Sequence, residues 1–121
     1  MVTLHGHLVD DGELDRLDEL FVADVVCDLT AYDQPVPLRG IAAVRGAAVQ
    51  LGDRNPAAHH DTNVVVSSVD DDTANVRSKG LGVTTSGYVG SVTYVDTAVR
   101  TPAGWRIRSR VVRPRRTPLR P

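Results

Sequence analysis

Four histidines are the residues of this 121-residue chain best suited to chemistry near neutral pH: His5, His7, His59 and His60. Imidazole is the side chain whose unperturbed charge change falls in that range. A metal is not expected, because His5-x-His7 and the adjacent His59-His60 lack the spacing of a zinc motif and the carboxylates are scattered. A nucleophile is not expected either. No Ser–His–Asp or Cys–His arrangement can be argued, and Cys27, the only cysteine, sits in the apolar run Val25-Val26-Cys27 as a small buried hydrophobe. The bends Gly80-Leu81-Gly82 and Ser86-Gly87-Tyr88 lack the strand-to-helix context of a phosphate loop. Tyr94 and Asp96 share one strand face and could bring a donor and an acid to a pocket, although the surrounding arginines mark Asp96 for a structural ion pair.

The elements that must position these residues follow from periodicity. Leu4, Leu8, Leu14, Leu17, Leu20 and Phe21 recur at near-helical spacing, broken by Asp10-Asp11-Gly12. This predicts a helix over about 2–9, then a second short helix over 13–21, capped by Asp10 or Asp11 from the turn between them. Residues 25–29 read as a strand, and Asp33 to Leu38, with its two prolines, as a turn into an edge segment. Ile41, Val44, Ala48 and Leu51 make one face of an amphipathic helix over 40–51. A β-meander comes next, with strands over 59–69, 73–83, 88–100 and 105–112. In the first of these, alternation sends His59 and Asn63 to one face and His60 and Thr62 to the other. In the last it separates Trp105, Ile107 and Ser109 from Arg106, Arg108 and Arg110. Helices before an antiparallel meander is an α+β pattern, with helices covering one sheet face. The expected division is one domain over 1–112 and a frayed basic, proline-rich tail over 113–121.

Composition narrows the class of function. The hydrophobic fraction is 41% and the charged fraction 24%, which suits one globular core, but aromatics are only 4%. No apolar run reaches the roughly 20 residues of a membrane helix, and no secretory signal is visible, so the expected setting is the cytoplasm. Residues 1–72 hold 14 of the 15 acids and four bases, net −10, while residues 73–121 hold one acid and 10 bases, net +9. The near-cancellation points to halves that neutralise one another across a fold or dimer. With few aromatics between the bases, nucleic acid is not the expected partner.

The order of elements and four phrases resemble the SnoaL-like branch of the NTF2-like superfamily. The phrases are Asp10-Asp11-Gly12-Glu13-Leu14-Asp15-Arg16-Leu17 with Leu20-Phe21 and Asp24, then Arg39-Gly40-Ile41 with Ala43-Val44. The third is His59-His60-Asp61-Thr62-Asn63-Val64; the fourth runs Gly90 to Tyr94 with Asp96, then Gly104-Trp105-Arg106-Ile107 and Arg110. Together they cover residues 4 to about 112. The resemblance implies a cone, three N-terminal helices packed on a curved, mostly antiparallel sheet. It also implies that Asp10 orients His59, which removes a proton from a substrate. A carboxylate accepting from one imidazole nitrogen fixes the tautomer and raises the basicity of the other. Such a base needs no cofactor. His5 stands where relatives carry a Tyr or Lys that binds or polarises the substrate, though its place near the start reads equally as surface. His5, Asn63 and Tyr94 are the substrate-contacting residues on this reading. The first helix is shorter than in relatives, so either the start is late or the pocket is unusually open.

Two classes of function remain. One is a cofactor-independent lyase, isomerase or cyclase acting on a small apolar molecule through His59 and Asp10. The other is a non-catalytic domain that binds a small ligand or a protein partner, with Asp10 a helix cap and His59 an ordinary strand residue. A homodimer is expected through the outer sheet face, because the strand from Val89 to Val99 carries apolar residues on both sides.

Overall fold

In a computed structural model describing residues 1–120, the chain opens with a single short helix, α1 (Leu4–Asp10), which buries Leu8 while Val2 packs just ahead of it. Gly12, at φ +70°, ends it, and the Glu13 amide reaches back to the Leu8 carbonyl at 2.8 Å. The next segment, Leu14–Glu19, is a 3-10 helix and not the α-helix expected over 13–21. Leu14, Leu17 and Leu20 are spaced by three, the period that stacks side chains on one side of a 3-10 turn. Phe21 has already left it, as the first residue of strand β1 (Phe21–Asp28). The expected three N-terminal helices are not what forms: among the described residues there are two α-helices, α1 and α2 (Ile41–Leu51), and two 3-10 segments, Leu14–Glu19 and Gly52–Arg54, with β1 and the two-residue β2 (Leu38–Arg39) intervening before α2.

The meander comprises β3 (Ala58–Ser68), β4 (Thr73–Val83), β5 (Val89–Thr101) and β6 (Gly104–Arg115). All six strands form one curved sheet in the order β2-β1-β6-β5-β4-β3, antiparallel except where β1 runs parallel to β6. β6 continues past the expected end at 112: Pro114 pairs with Val92 and Arg115 with Ser91. The part of the tail without strand structure thus begins at Arg116.

Leu8, Leu17, Leu20, Phe21, Val25 and Ile107 form the core between the N-terminal segments and the sheet. Aliphatic side chains carry it, as the scarcity of aromatics requires. α2 contributes less than its amphipathic pattern suggests, with no fully buried residue and Val49 and Leu51 exposed. Ile41 and Val44 rest on the core, while the C-terminal half of the face stays open.

Two irregularities matter for the site. In β3 the register slips between Thr62 and Val65, an extra residue opposite β4, and Asn63 there takes φ +54°. In β6 a second slip places Ile107 opposite Ala98 and Ser109 opposite Thr97, leaving Arg108 as the extra residue. Ile107 and Arg110 are consequently both buried, against the strict alternation expected across 105–112.

Candidate functional site

β3 is an edge strand, and α1 lies along its open edge at His59. Gly6 makes the approach possible: a Cβ there would come within 2.7 Å of the His59 carbonyl oxygen. Asp10, at the end of α1, then grips His59 twice. One carboxylate oxygen lies 2.5 Å from the ring Nδ1, and the other accepts the His59 backbone N–H at 2.7 Å. Both side chains are largely covered, at 14% and 19% exposure. Asp10 is thus committed to β3, and neither it nor Asp11 caps the 3-10 segment, whose start has no side-chain cap.

His5, five residues before Asp10 on α1, turns inward and is not a surface residue. Its ring meets that of His59 edge to face, with centroids 5.2 Å apart, and that of Tyr94 at 5.8 Å. Burial lowers its pKa below the usual 6.5; Asp61 works in the opposite direction, and Arg110 and His59 reinforce the lowering. Tyr94 is buried on the inner sheet face, and burial pushes its phenol up to about 12. Gly80 leaves room for that ring, since a Cβ there would fall 2.5 Å from Tyr94 Cε2.

Asp96 forms the expected ion pair, fully buried, with two 2.8 Å bonds from Arg110 Nε and Nη2. That pairing holds the Arg110 guanidinium 4.2 Å above the Tyr94 ring. The structure therefore brings together Asp10, His59, His5 and Tyr94. Asn63 does not join them, because the bulge turns it out to solvent, where Thr62 Oγ1 bonds its side-chain oxygen. His60 is exposed, as alternation required.

Two residues at the site escaped the sequence reading. Asp61 has a side chain only 2% exposed and facing His5, with His5 Nδ1 and Asp61 Oδ2 3.7 Å apart, beyond hydrogen-bonding reach. The signal was present, since Asp61 is two residues from His59 in an extended strand and shares its face. Arg110 had no such signal, because the extra residue at Arg108 is invisible to alternation. A cleft of about 290 Å³ between α1 and β3 is lined in part by Thr3, His7, Asp10, His59 and Asp61. A larger one, about 600 Å³, lies between α2 and the 31–34 turn, lined in part by Tyr32, Gln34, Ala47, Leu51 and Arg116. Among the described residues, no group of three or more His, Cys, Asp or Glu is arranged to hold a metal ion, and no helix is long and apolar enough to cross a membrane.

The curved six-stranded sheet with its short helices is an NTF2-like α+β architecture. The chain belongs to the SnoaL-like domain family, whose model matches residues 1–111. No curated protein matches the chain. Similar solved structures include three proteins of Novosphingobium aromaticivorans. A candidate scytalone dehydratase has a TM-score of 0.78 and 24% identity, over 96% of this chain and 80% of that one. A candidate aromatic ring hydroxylase has a TM-score of 0.75 and 26% identity, over 97% and 85%. An NTF2-like protein with a cystatin-like fold has a TM-score of 0.73 and 28% identity, over 92% and 75%.

Proposed function

We propose that this chain is a cofactor-independent lyase, isomerase or cyclase acting on a small, mostly apolar molecule, with His59 as general base and Asp10 as its orienting group. The observation that carries the reading is the double grip of Asp10 on the His59 ring and backbone. With the proton of the neutral ring held on Nδ1 toward Asp10, Nε2 is free to accept another. It takes a proton from a carbon beside a carbonyl, and the C–H electron pair passes into an enolate. In a lyase that pair then forms a C=C bond as a β-substituent leaves with its own bonding electrons. Tyr94, held in its protonated form by burial, is a donor at the same site.

One structural neighbour's description as a candidate scytalone dehydratase agrees with a lyase, and at 24% identity it supports the fold alone. A cytoplasmic setting and a homodimer belong to the same proposal. A second reading, a non-catalytic binding domain, is favoured by one observation: the larger cleft beside α2 has neither Asp10 nor His59 in its lining.

The test is exchange of α-hydrogens for deuterium in a panel of small ketones. His59→Ala should slow exchange by about 10²–10⁴-fold, the usual contribution of a positioned base, whereas His60→Ala should stay within about twofold of wild type. Equal rates in wild type and His59→Ala would favour the binding domain.

A further inference from the structure

β3 ends the sheet, and its two halves meet solvent differently. Along the first half α1 lies against the edge, and the Asp10 carboxylate takes the outward N–H of His59. Beyond the bulge the strand is bare. The Val69 N–H bonds the Thr73 carbonyl of β4 at 3.0 Å, so alternation turns Ser67 and Val65 toward β4 and aims the backbone of Val66 out of the sheet. The Val66 N–H and C=O have no partner among the described residues.

The side chains here are as unusual as the backbone. From Thr62 to Val69 the sequence carries no charge and no proline. Val64 is 42% exposed, Val65 52%, Val66 63% and Val69 58%. Val65, opposite Arg77, and Val66, opposite Val76, point to opposite faces, so the edge is apolar on both. A bare edge templates pairing with another chain, and proteins normally blunt it with lysine, proline or a bulge. Here the bulge between Thr62 and Val65 lies ahead of Val66 and leaves the rest of the edge regular.

Charge at the two ends of the run decides what can pair with it. Asp10 and Asp11 stand at the His59 end, and Asp70-Asp71-Asp72 at the other, where Arg100 reaches Asp72 at 3.6 Å. Three carboxylates against one guanidinium leave that turn net negative. Antiparallel pairing of two copies about an axis at Val66 would set Asp71 of one beside Asp61 of the other, next to its Asp10 and Asp11. Like charges placed so oppose pairing. A strand with basic ends meets attraction at both.

We propose that the edge of β3 from Val64 to Val69 is a docking site for an extended segment of another protein, proline-free and β-branched at its centre, with lysine or arginine at both ends. The segment adds a strand beside β3. Its main chain exchanges hydrogen bonds with Val66, its centre covers the exposed valines, and its end cations meet Asp11 and the Asp70-Asp71-Asp72 turn.

The experiment follows the binding of three labelled peptides to the full chain by fluorescence anisotropy. One is Val-Thr-Val-Thr-Val with two lysines at each end; the second has glutamates in place of the lysines; the third keeps the lysines and has proline in place of both threonines. The lysine peptide should bind about tenfold tighter than the glutamate peptide, and added salt should narrow the gap. The proline peptide should not bind, because it lacks the main-chain donors. Val66→Pro, which removes an N–H that β4 does not use, should weaken the lysine peptide by about tenfold, the scale of one hydrogen bond. Amide hydrogen exchange of the wild type makes the result independent of how that variant folds: the lysine peptide should slow exchange at Val66 and leave the amides of β5 unchanged. No binding of the lysine peptide, equal binding of all three, or no protection at Val66 would overturn the proposal. So would protection of Val66 without peptide that grows with protein concentration, which would place a second copy on the edge.

Discussion

Asp10 uses each carboxylate oxygen for a different purpose, one on the His59 ring and one on its backbone. Rotating the ring would break the first bond, while the second keeps the carboxylate at the strand edge. Beside it, His5 has a pH signature of its own. Its pKa in the folded chain lies below the ordinary 6.5, so the unfolded chain takes up a proton first as the medium acidifies. The stability conferred by neutral His5 is complete above 6.5 and declines as pH falls from there toward the lower folded value. Asp61, His59, Tyr94 and Arg110 all face this ring, and Asp61 alone among them opposes the decline. Melting temperature followed downward from neutral pH should show that slope, and His5→Phe should flatten it. An unchanged slope in the variant would place the acid sensitivity elsewhere. At the other extreme, Tyr94 contributes stability that is complete below 10 and lost as pH rises toward about 12.

At the scale of elements, the contact between α1 and β3 decides whether there is a site. In a helix interior Gly→Ala normally stabilises by up to about 1 kcal/mol. At Gly6 the new Cβ would meet the His59 carbonyl oxygen, a backbone atom, at 2.7 Å. Gly6→Ala should therefore destabilise by about 1–3 kcal/mol, the usual range for overpacking, and should slow exchange by parting Asp10 from His59. A higher melting temperature would contradict this packing. Asp96→Asn, which leaves the Arg110 charge buried and unneutralised, should cost about 3–5 kcal/mol in denaturant unfolding. The long strands were legible because runs rich in Val and Thr lie between turn residues such as Asp70-Asp71-Asp72 and Pro102-Ala103-Gly104. The Asp10–His59 pairing was legible only through the resemblance, since nothing in local periodicity joins residues 49 apart. Asn63 was misplaced because one inserted residue inverts the facing of everything beyond it, and a bulge leaves no periodic trace.

Across the whole molecule, charge and apolar surface remain distributed unevenly. Arg100 reaches Asp72, and Arg106 Nε reaches the Asp18 carbonyl, so the basic half does lean on the acidic one. On the outer sheet face Val95 stands opposite Arg77 and Val111, half-buried, and Val65, Val89 and Leu81 are exposed nearby. A second copy of the chain on this face would cover them. Sedimentation equilibrium at micromolar concentration should give a dimer, and Val95→Glu should yield monomer without unfolding the chain. A monomeric wild type would count against the arrangement.

On the proposed function, Asp10 holds His59 in one tautomer with Nε2 free. Nitrogen NMR of the imidazoles at neutral pH tests it directly. His59 should show a protonated Nδ1 and an unprotonated Nε2, and Asp10→Asn should disturb this pattern while leaving His60 as it was. A His59 protonated on Nε2, or one whose pattern ignores Asp10, would contradict it.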